Sequence, residues 1–139
     1  RSLRYGVLVD IAFKVKNDQP ISVYRGYVNV IWQGDANRIA IECLPLAASP
    51  PFVVNVTGSE QLSVRRIAEW FGERFARSPR FTGAERDDAL LSDTARMRST
   101  FAPLEMTTPR LLELVAQWVD AGGTLLGKPT KFEARDGQF

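Results

Sequence analysis

The sequence contains no histidine and a single cysteine among its 139 residues. Without histidine, this chain cannot form a serine–histidine or cysteine–histidine catalytic pair, and it lacks the usual ligand of zinc sites. The lone Cys43 cannot form an internal disulfide, and its place among apolar residues of a predicted helix favours packing in the core. With no recognisable signal peptide, this cysteine content indicates a cytoplasmic protein.

Long apolar runs and phosphate-binding loops are also missing. No apolar stretch approaches the roughly 18 residues that span a bilayer, so we expect no membrane partner. The sequence has neither Gly-x-Gly-x-x-Gly nor the complete Gly-x-x-x-x-Gly-Lys-Ser/Thr, the motifs that hold nucleotide phosphates; residues 122–128 fit the second motif only up to its lysine, because Pro129 follows. No tyrosine is followed four positions later by a lysine. We therefore predict no catalytic, cofactor-binding or metal-ligating residue in this chain, and we interpret its acidic pair, Asp87 and Asp88, as part of a solvated loop.

The sequence has no large excess of positive or negative charge, and its formal net charge is +2. Five arginines nevertheless crowd one region, with two glutamates between them: Arg65, Arg66, Glu69, Glu73, Arg74, Arg77 and Arg80. Such interleaved charges favour a solvated helix face, and a phosphate-binding patch is the alternative. We expect no nucleic-acid partner.

Helical and strand periodicities alternate along the chain. They predict helices over residues 5–17, 35–48 (shortened by Pro45), 64–76, 92–101 and 108–120, and short strands over residues 21–24, 26–32, 52–56 and 80–83. Ser63 and Thr108 are predicted N-caps, and the run at residues 52–56 is typical of an interior parallel strand. The pattern indicates an α+β or incomplete α/β domain over residues 1–127, followed by an extended tail over residues 128–139.

The stretch from Gly26 to Asn37 is the most suggestive one. Val28, Val30 and Trp32 alternate with other residues as in a mostly buried strand, and a helix follows directly. Strand ends that open into helix N-termini are where α/β proteins collect ligands. The stretch is therefore the first place to look for a binding site.

The order of these features resembles the C-terminal part of the extended short-chain dehydrogenases/reductases, the NAD-dependent epimerase/dehydratase family. The resemblance runs from about Tyr5 to Val119. In the C-terminal part of these enzymes, the first helix is followed by a turn, which residues 17–20 match. Residues 27–36 match the family's Arg-Asp-Phe-Val-Tyr-Val-Asp-Asp-Val-Ala segment. Val54–Asn55–Val56 with Leu62–Ser63 matches the Tyr-Asn-Val-Gly and serine elements, and residues 92–103 match its Asp-x-Ser-Lys-Ala helix.

The resemblance implies a substrate-side lobe, helices packed on a few short strands, whose nucleotide-binding Rossmann half precedes Arg1. That half would carry NAD or NADP, so we expect this chain alone to bind no cofactor and to be inactive. The absence of an initiator methionine also suggests a piece of a longer protein. The implied role is to line the substrate cleft of an epimerase, dehydratase or reductase, and a non-catalytic binding or regulatory module of the same family is the alternative.

Within the resemblance, the implied substrate contacts are Tyr24, Arg25, Tyr27, Asn29, Trp32 and Gln33. The family's Arg-Asp pair is replaced by Tyr27–Val28 and its Asp-Asp pair by Gln33–Gly34. This loss of charge favours a sugar-like substrate or a smaller carbonyl or hydroxy compound over a nucleotide-diphosphate sugar. The face that would meet the Rossmann half can also support a homo-oligomer.

Overall fold

The computed structural model describes residues 3–86, 89, 91–128 and 130–133, and the acidic pair Asp87 and Asp88 lies outside them. The described residues form five helices: α1 (Val7–Lys16), α2 (Gln33–Glu42), α3 (Val64–Phe75), α4 (Ala95–Thr100) and α5 (Thr108–Asp120). They also form four short strands: β1 (Pro20–Ser22), β2 (Tyr27–Val28), β3 (Leu62–Ser63) and β4 (Arg80–Thr82). The fold is thus mixed, with helices dominating a few short strands, as expected from the sequence.

The core lies where α1 packs between α3 and α5. The helical spacing of apolar residues predicts the buried face of α1 correctly: Leu8, Ile11, Ala12 and Val15. On α3, Phe71 is fully buried and stacks on Phe75 with ring centroids 5.8 Å apart. Each large side chain buried in this way contributes roughly 1.5–3 kcal/mol before conformational entropy is counted.

Two small sheets hold the connecting segments against these helices. β1 pairs in parallel with β4, and Ile21 lies opposite Phe81. β2 pairs antiparallel with β3, and Tyr27 lies opposite Ser63. Because β3 continues directly into α3, this second pairing fixes the stretch after Gly26 beside the start of that helix.

Both ends of α3 follow local rules that are visible in the sequence. The Ser63 side chain accepts a hydrogen bond from the Arg66 amide at 3.3 Å, which confirms the predicted N-cap. Gly72 lies against the chain that leaves the helix, since a Cβ there would come within 2.6 Å of the Arg77 carbonyl oxygen. The glycine therefore permits the helix and the following chain to approach closely, which offsets its low helix propensity.

Three expectations from the sequence are wrong in detail. Residues 52–56 form no strand, and Val53 is 66% exposed, because no described strand lies beside this run to receive its backbone hydrogen bonds. The strand expected over residues 26–32 ends at Val28. The N-cap of α5 is Thr107, whose hydroxyl accepts from the Arg110 amide at 3.4 Å, and the residue after it becomes the first helical one.

Cys43 is only half-buried and lies outside the core, contrary to the expectation from its apolar neighbours. Of those neighbours, Ile39 is fully buried, whereas Ile41 is 67% and Leu44 is 72% exposed. The reason is that α2 ends at Glu42 and a 3-10 turn containing Pro45 follows, so only one narrow stripe of this segment faces the protein.

The chain after α5 turns back onto α1. The Leu126 amide donates to the Arg4 carbonyl oxygen at 2.8 Å, and the Thr130 amide donates to the Asp10 carboxylate at 3.2 Å. Further on, Glu133 accepts from the Lys14 ammonium group at 2.6 Å. The described part of the predicted tail is thus tied to the first helix.

Candidate functional site

A cleft of about 330 Å³ opens beside the end of β2. One wall is the irregular stretch from Val30 to Trp32, which leads into α2, and the opposite wall is α4 with the loop that precedes α5. Its lining is mainly apolar: Val30, Ile31, Trp32, Met97, Phe101, Ala102, Pro103, Leu104, Met106 and Leu111. The stretch singled out in the sequence therefore does border a cavity.

Trp32 is fixed at this wall by the glycine that follows two residues later. It occupies the N-cap position of α2 in an extended conformation, with φ −70° and ψ 137°. Its indole lies over the first turn of the helix, where a Cβ on Gly34 would come within 2.1 Å of the ring. Only glycine leaves room for the indole there, so Gly34 has a packing role in the site.

Trp32 also borders two smaller cavities next to the cleft. One, of about 260 Å³, lies toward the start of α1 and is lined by Gln33 among others. The other, of about 240 Å³, is almost wholly apolar and is lined by Leu3, Trp32, Met106, Leu114 and Trp118. The Trp32 indole thus borders three neighbouring cavities that are mainly apolar, and together they leave a large apolar surface uncovered.

The far wall of the cleft is held in place by Asp35, a residue that sequence reasoning did not single out. Its side chain is buried, and its two carboxylate oxygens accept hydrogen bonds from the Glu105 and Met106 amides, each at 3.0 Å. Because a buried carboxylate must be fully hydrogen-bonded, this arrangement dictates the path of residues 104–106. An aspartate in the first turn of α2 was visible in the sequence, but its partners lie seventy positions away.

Arg38, one turn further along α2, supports the same loop. Its guanidinium donates to the carbonyl oxygens of Ala102 at 3.3 Å and Pro103 at 3.2 Å. The hydrogen bond to Glu42 and the nearby carboxylates raise the pKa of Arg38 above its ordinary value, against a smaller desolvation effect. Through these contacts α2 positions both the near and the far wall of the cleft.

Asn29 ties two further loops to the end of β2. Its amide nitrogen donates to the Glu60 carbonyl oxygen at 3.2 Å, and its amide oxygen accepts from the Ser92 backbone at 2.8 Å. The adjacent loop comes so close that a Cβ on Gly58 would lie 2.0 Å from the Val30 carbonyl oxygen. In the structure, the Asn29 side chain serves to join backbone segments around the cleft.

Among the six residues proposed from the sequence as substrate contacts, Trp32 lines the cleft and Gln33 lines the adjoining 260 Å³ cavity. Tyr24, Arg25, Tyr27 and Asn29 are not part of the cleft lining. Tyr24 instead packs its ring over Gly83, where a Cβ would come within 2.9 Å of the ring. The structure does not gather these six residues in one cavity, and their contact with a substrate stays a prediction.

Two charged side chains border the cleft that were not among the proposed contacts. Glu60 and Arg98 both belong to the lining, and both residues are exposed. Within the described part of the chain, neither side chain forms an ion pair. They therefore offer one positive and one negative group to a ligand in an otherwise apolar hollow.

Three of the five arginines around α3, Arg65, Arg74 and Arg77, are paired with carboxylates. Arg65 binds Glu85 at 2.6 Å, and Arg74 binds Glu113 at 3.2 Å. The pKa of Glu113 is lowered by the hydrogen bonds from Arg74 and Gln117. This pairing fits the interpretation of a solvated helix face.

Over the described ranges, no helix is long and apolar enough to cross a membrane. In the same ranges, no group of three or more cysteine, aspartate or glutamate side chains is placed to hold a metal ion.

Comparison with protein-family models and with the sequences of curated proteins finds no match. Among solved structures, the chain is similar to MlghC, a GDP-mannoheptose C4 reductase from Campylobacter jejuni with NADP bound. The TM-score is 0.56 at 12% sequence identity. The likeness shows that the two proteins share a fold over the matched part. The match covers 86% of this chain but only 46% of the reductase, so the chain spans about half the length of that protein.

Proposed function

We propose that this chain is the substrate-side part of an NAD(P)-dependent epimerase, dehydratase or reductase. In this proposal it lines the substrate cleft of the intact enzyme, and a nucleotide-binding half supplies the cofactor. Support comes from the reductase-like fold over 86% of the chain and from the resemblance of residues 5–119 to the C-terminal part of such enzymes.

The observation that carries the proposal is the cleft between the Val30–Trp32 stretch and the loop before α5. Its volume of about 330 Å³ lies at the small end of the roughly 300–1,000 Å³ that is usual for ligand pockets. It is concave and mainly apolar, and it carries a few polar groups, as binding sites for small molecules generally do. It also adjoins the strand-to-helix junction where folds of this class bind ligands.

The lining suits a compact substrate. The indole of Trp32 offers a flat apolar face, on which the C–H surface of a sugar ring can pack. Arg98 can donate hydrogen bonds to hydroxyl or carbonyl oxygens, and Glu60 can accept them from hydroxyl groups. The matched reductase acts on GDP-mannoheptose. For this chain we propose a sugar-like or smaller carbonyl or hydroxy compound, because the cleft is small.

The residues of this chain do not fit a dinucleotide. The described connection from β2 to α2 contains no glycine between Val28 and Gln33, whereas dinucleotide phosphates need a glycine-rich strand-to-helix turn. We therefore assign NAD or NADP to the nucleotide-binding half, where it would supply hydride transfer. This chain alone is expected to bind no cofactor and to be inactive.

Tryptophan fluorescence tests the cleft directly. The purified chain would be titrated with mannose, GDP-mannose and NADPH while the emission is recorded, and NADPH consumption would be measured in parallel. We expect a saturable change with a sugar ligand, and no response or turnover with NADPH alone. Because Trp32→Ala also removes the fluorescent reporter, sugar binding by this variant would be measured by titration calorimetry, where we expect it to be lost. Trp70→Phe is the matched control, since Trp70 lies on α3 outside the cleft lining.

Two results would overturn the proposal. Turnover of NADPH by this chain alone would show that it carries its own catalytic site. Sugar binding that survives Trp32→Ala with unchanged affinity would place the ligand elsewhere. The alternative of a non-catalytic module is decided by the complete coding sequence: a glycine-rich turn and a tyrosine–lysine pair upstream favour the enzyme.

A further inference from the structure

The lining of the cleft beside β2 is more specific than a general small-molecule site requires. Its residues all lie within 30–32, 58–60 and 97–111, and the structure describes every residue of these ranges. Two charged side chains and both methionines of the chain belong to this lining: Glu60, Arg98, Met97 and Met106. These four side chains indicate what kind of molecule the cleft accepts.

The two charges are opposite in sign, and both are available to a ligand. Among the described residues, neither Glu60 nor Arg98 forms an ion pair, either with another residue or with each other. The neighbouring arginine of α4 is differently placed, since Arg96 donates to the Val53 carbonyl oxygen at 2.7 Å and lies over the Phe52 ring. Arg98 is therefore the arginine of α4 that can meet a negative group in the cleft.

One asparagine joins the two charged segments. The Asn29 side chain donates to the Glu60 carbonyl oxygen at 3.2 Å and accepts from the Ser92 amide at 2.8 Å. Ser92 leads into α4, which carries Arg98. Because both backbone segments are held by the same side chain, the cleft presents its negative and its positive group from segments with a fixed spacing.

The apolar part of the lining suits an aromatic ring. Met97 is buried, with 3% of its surface exposed, and Met106 is partly buried against the core. Methionine side chains adapt to the shape of a ligand, and their sulfur atoms make favourable contacts with aromatic rings. Trp32 and Phe101 add two rings to the same lining, against which a further ring can pack in an offset or edge-on arrangement.

We propose that the cleft binds a zwitterionic α-amino acid with an aromatic side chain. The carboxylate pairs with Arg98 and the ammonium group with Glu60, while the ring lies between the methionines and Trp32. A volume of about 330 Å³ suits a compact ligand of this kind. The inference rests on the proposed function, because it names the substrate class for the same cleft: a hydroxylated amino acid would be the small hydroxy compound.

Methyl NMR of the chain labelled with carbon-13 at its methionine methyl groups tests the inference, because Met97 and Met106 both lie in the cleft. L-Phenylalanine is the main probe. Phenylpropionate lacks its ammonium group, phenethylamine lacks its carboxylate, and L-alanine lacks its ring. We expect saturable shifts of both methyl signals with phenylalanine. Affinity should be about three- to tenfold lower for the two singly charged probes, and at least about tenfold lower for alanine.

Two variants assign the charges to the two ends of the ligand. Arg98→Gln should weaken the binding of phenylalanine and phenylpropionate by about three- to tenfold and leave that of phenethylamine unchanged. Glu60→Gln should weaken the binding of phenylalanine and phenethylamine to a similar extent, but not that of phenylpropionate. Arg66→Gln and Glu69→Gln are matched controls, since they remove exposed charges on α3 outside the cleft lining.

Absence of shifts with phenylalanine would overturn the inference. So would equal affinities for phenylalanine and the two singly charged probes, or equal effects of the cleft variants and their controls. Thermal unfolding of each variant would establish that the fold is kept.

Mannose, titrated in parallel, separates this inference from the proposed function. Binding of mannose without binding of phenylalanine would leave the proposed function standing and refute the inference. Binding of phenylalanine without binding of mannose would support the inference and exclude a sugar as the ligand of the cleft. If neither compound shifts the methionine signals, both the inference and the proposed substrate cleft are refuted.

Discussion

Replacing Asp35 should loosen the far wall of the cleft and destabilise the whole protein. The carboxylate is 2% exposed and accepts hydrogen bonds from the Glu105 and Met106 amides. Alanine would leave both amide donors without their carboxylate partner. Each unsatisfied amide costs about 1–3 kcal/mol, and these two are part-buried, so we expect a loss of about 2–4 kcal/mol for Asp35→Ala.

Asparagine separates the loss of charge from the loss of both acceptors. Its amide oxygen can still accept from one of the two backbone donors, while its NH₂ group opposes the other. Asp35→Asn should therefore cost about 1–3 kcal/mol, less than alanine. Asp93→Asn is the matched control: Asp93 also accepts from a backbone amide, that of Ala95 at 2.8 Å, but it is exposed. We expect that control to cost less than about 1 kcal/mol.

Urea unfolding, monitored by far-UV circular dichroism, measures these differences. The comparison requires that the free energy of unfolding depends on urea concentration with the same slope in each variant. The amide exchange rates of Glu105 and Met106 provide a local readout, since both should rise in the Asp35 variants before global unfolding. A loss for Asp35→Ala no greater than that for Asp93→Asn would refute the reasoning, because burial would then have no effect on the strength of the contact.

Two glycines and one glutamate give further predictions. Gly72→Ala should destabilise by about 1–3 kcal/mol despite the better helix propensity of alanine, because the new methyl meets the Arg77 carbonyl at 2.6 Å. Gly122→Ala, with open space around it but a φ of +68°, should cost about 1–2 kcal/mol from backbone strain alone, and both values follow from urea unfolding. The pKa of Glu113 is lowered in the folded state, so its contribution to stability is present above the ordinary glutamate pKa of about 4.3 and is lost as the pH falls through the folded value. The stability difference between the natural protein and Glu113→Gln should therefore shrink between pH 6 and pH 3, and a constant difference would contradict the assignment.

The helices of the core were the most predictable part of the fold. On α3 the residues from Val64 to Phe75 repeat with the helical period, and one face is almost wholly apolar, so a single physical requirement fixes both the helix and its orientation. Ser63 and Gly72 add local constraints that can be recognised from residue type alone. Such elements are determined by neighbours in the sequence.

Residues 52–56 show where this reasoning stops. A continuous apolar run indicates burial, but a strand also requires a neighbour whose backbone groups pair with it. No described segment takes that place, and Val53 remains open to water. Likewise, the apolar residues around Cys43 suggested a helix in the core. Pro45 was expected to shorten this helix, but the pattern cannot show in which direction the chain continues from there.

The candidate site was predictable in location but not in composition. The strand-to-helix junction pointed to Trp32, which does line the cleft. Asp35 was not predicted as a residue of the site, because its role depends on hydrogen bonds from the Glu105 and Met106 amides, and only the folded chain shows where those amides lie. The six proposed contacts, all within residues 24–33, were grouped by their closeness in sequence, whereas the cleft takes its far wall from residues 97–111.

The way in which α1 is packed has a consequence for how the protein folds. Its partners α3 and α5 begin about 50 and 100 residues later in the chain. The strand β1 likewise pairs with β4, which follows it by about 60 residues. Contacts between such distant segments require large loops to close before any burial is gained, and this slows folding. During synthesis, the apolar face of α1 would stay uncovered until α5 has left the ribosome. The nascent chain therefore exposes this apolar face while the residues between α1 and α5 are synthesised, and its yield should depend on chaperones that shield α1.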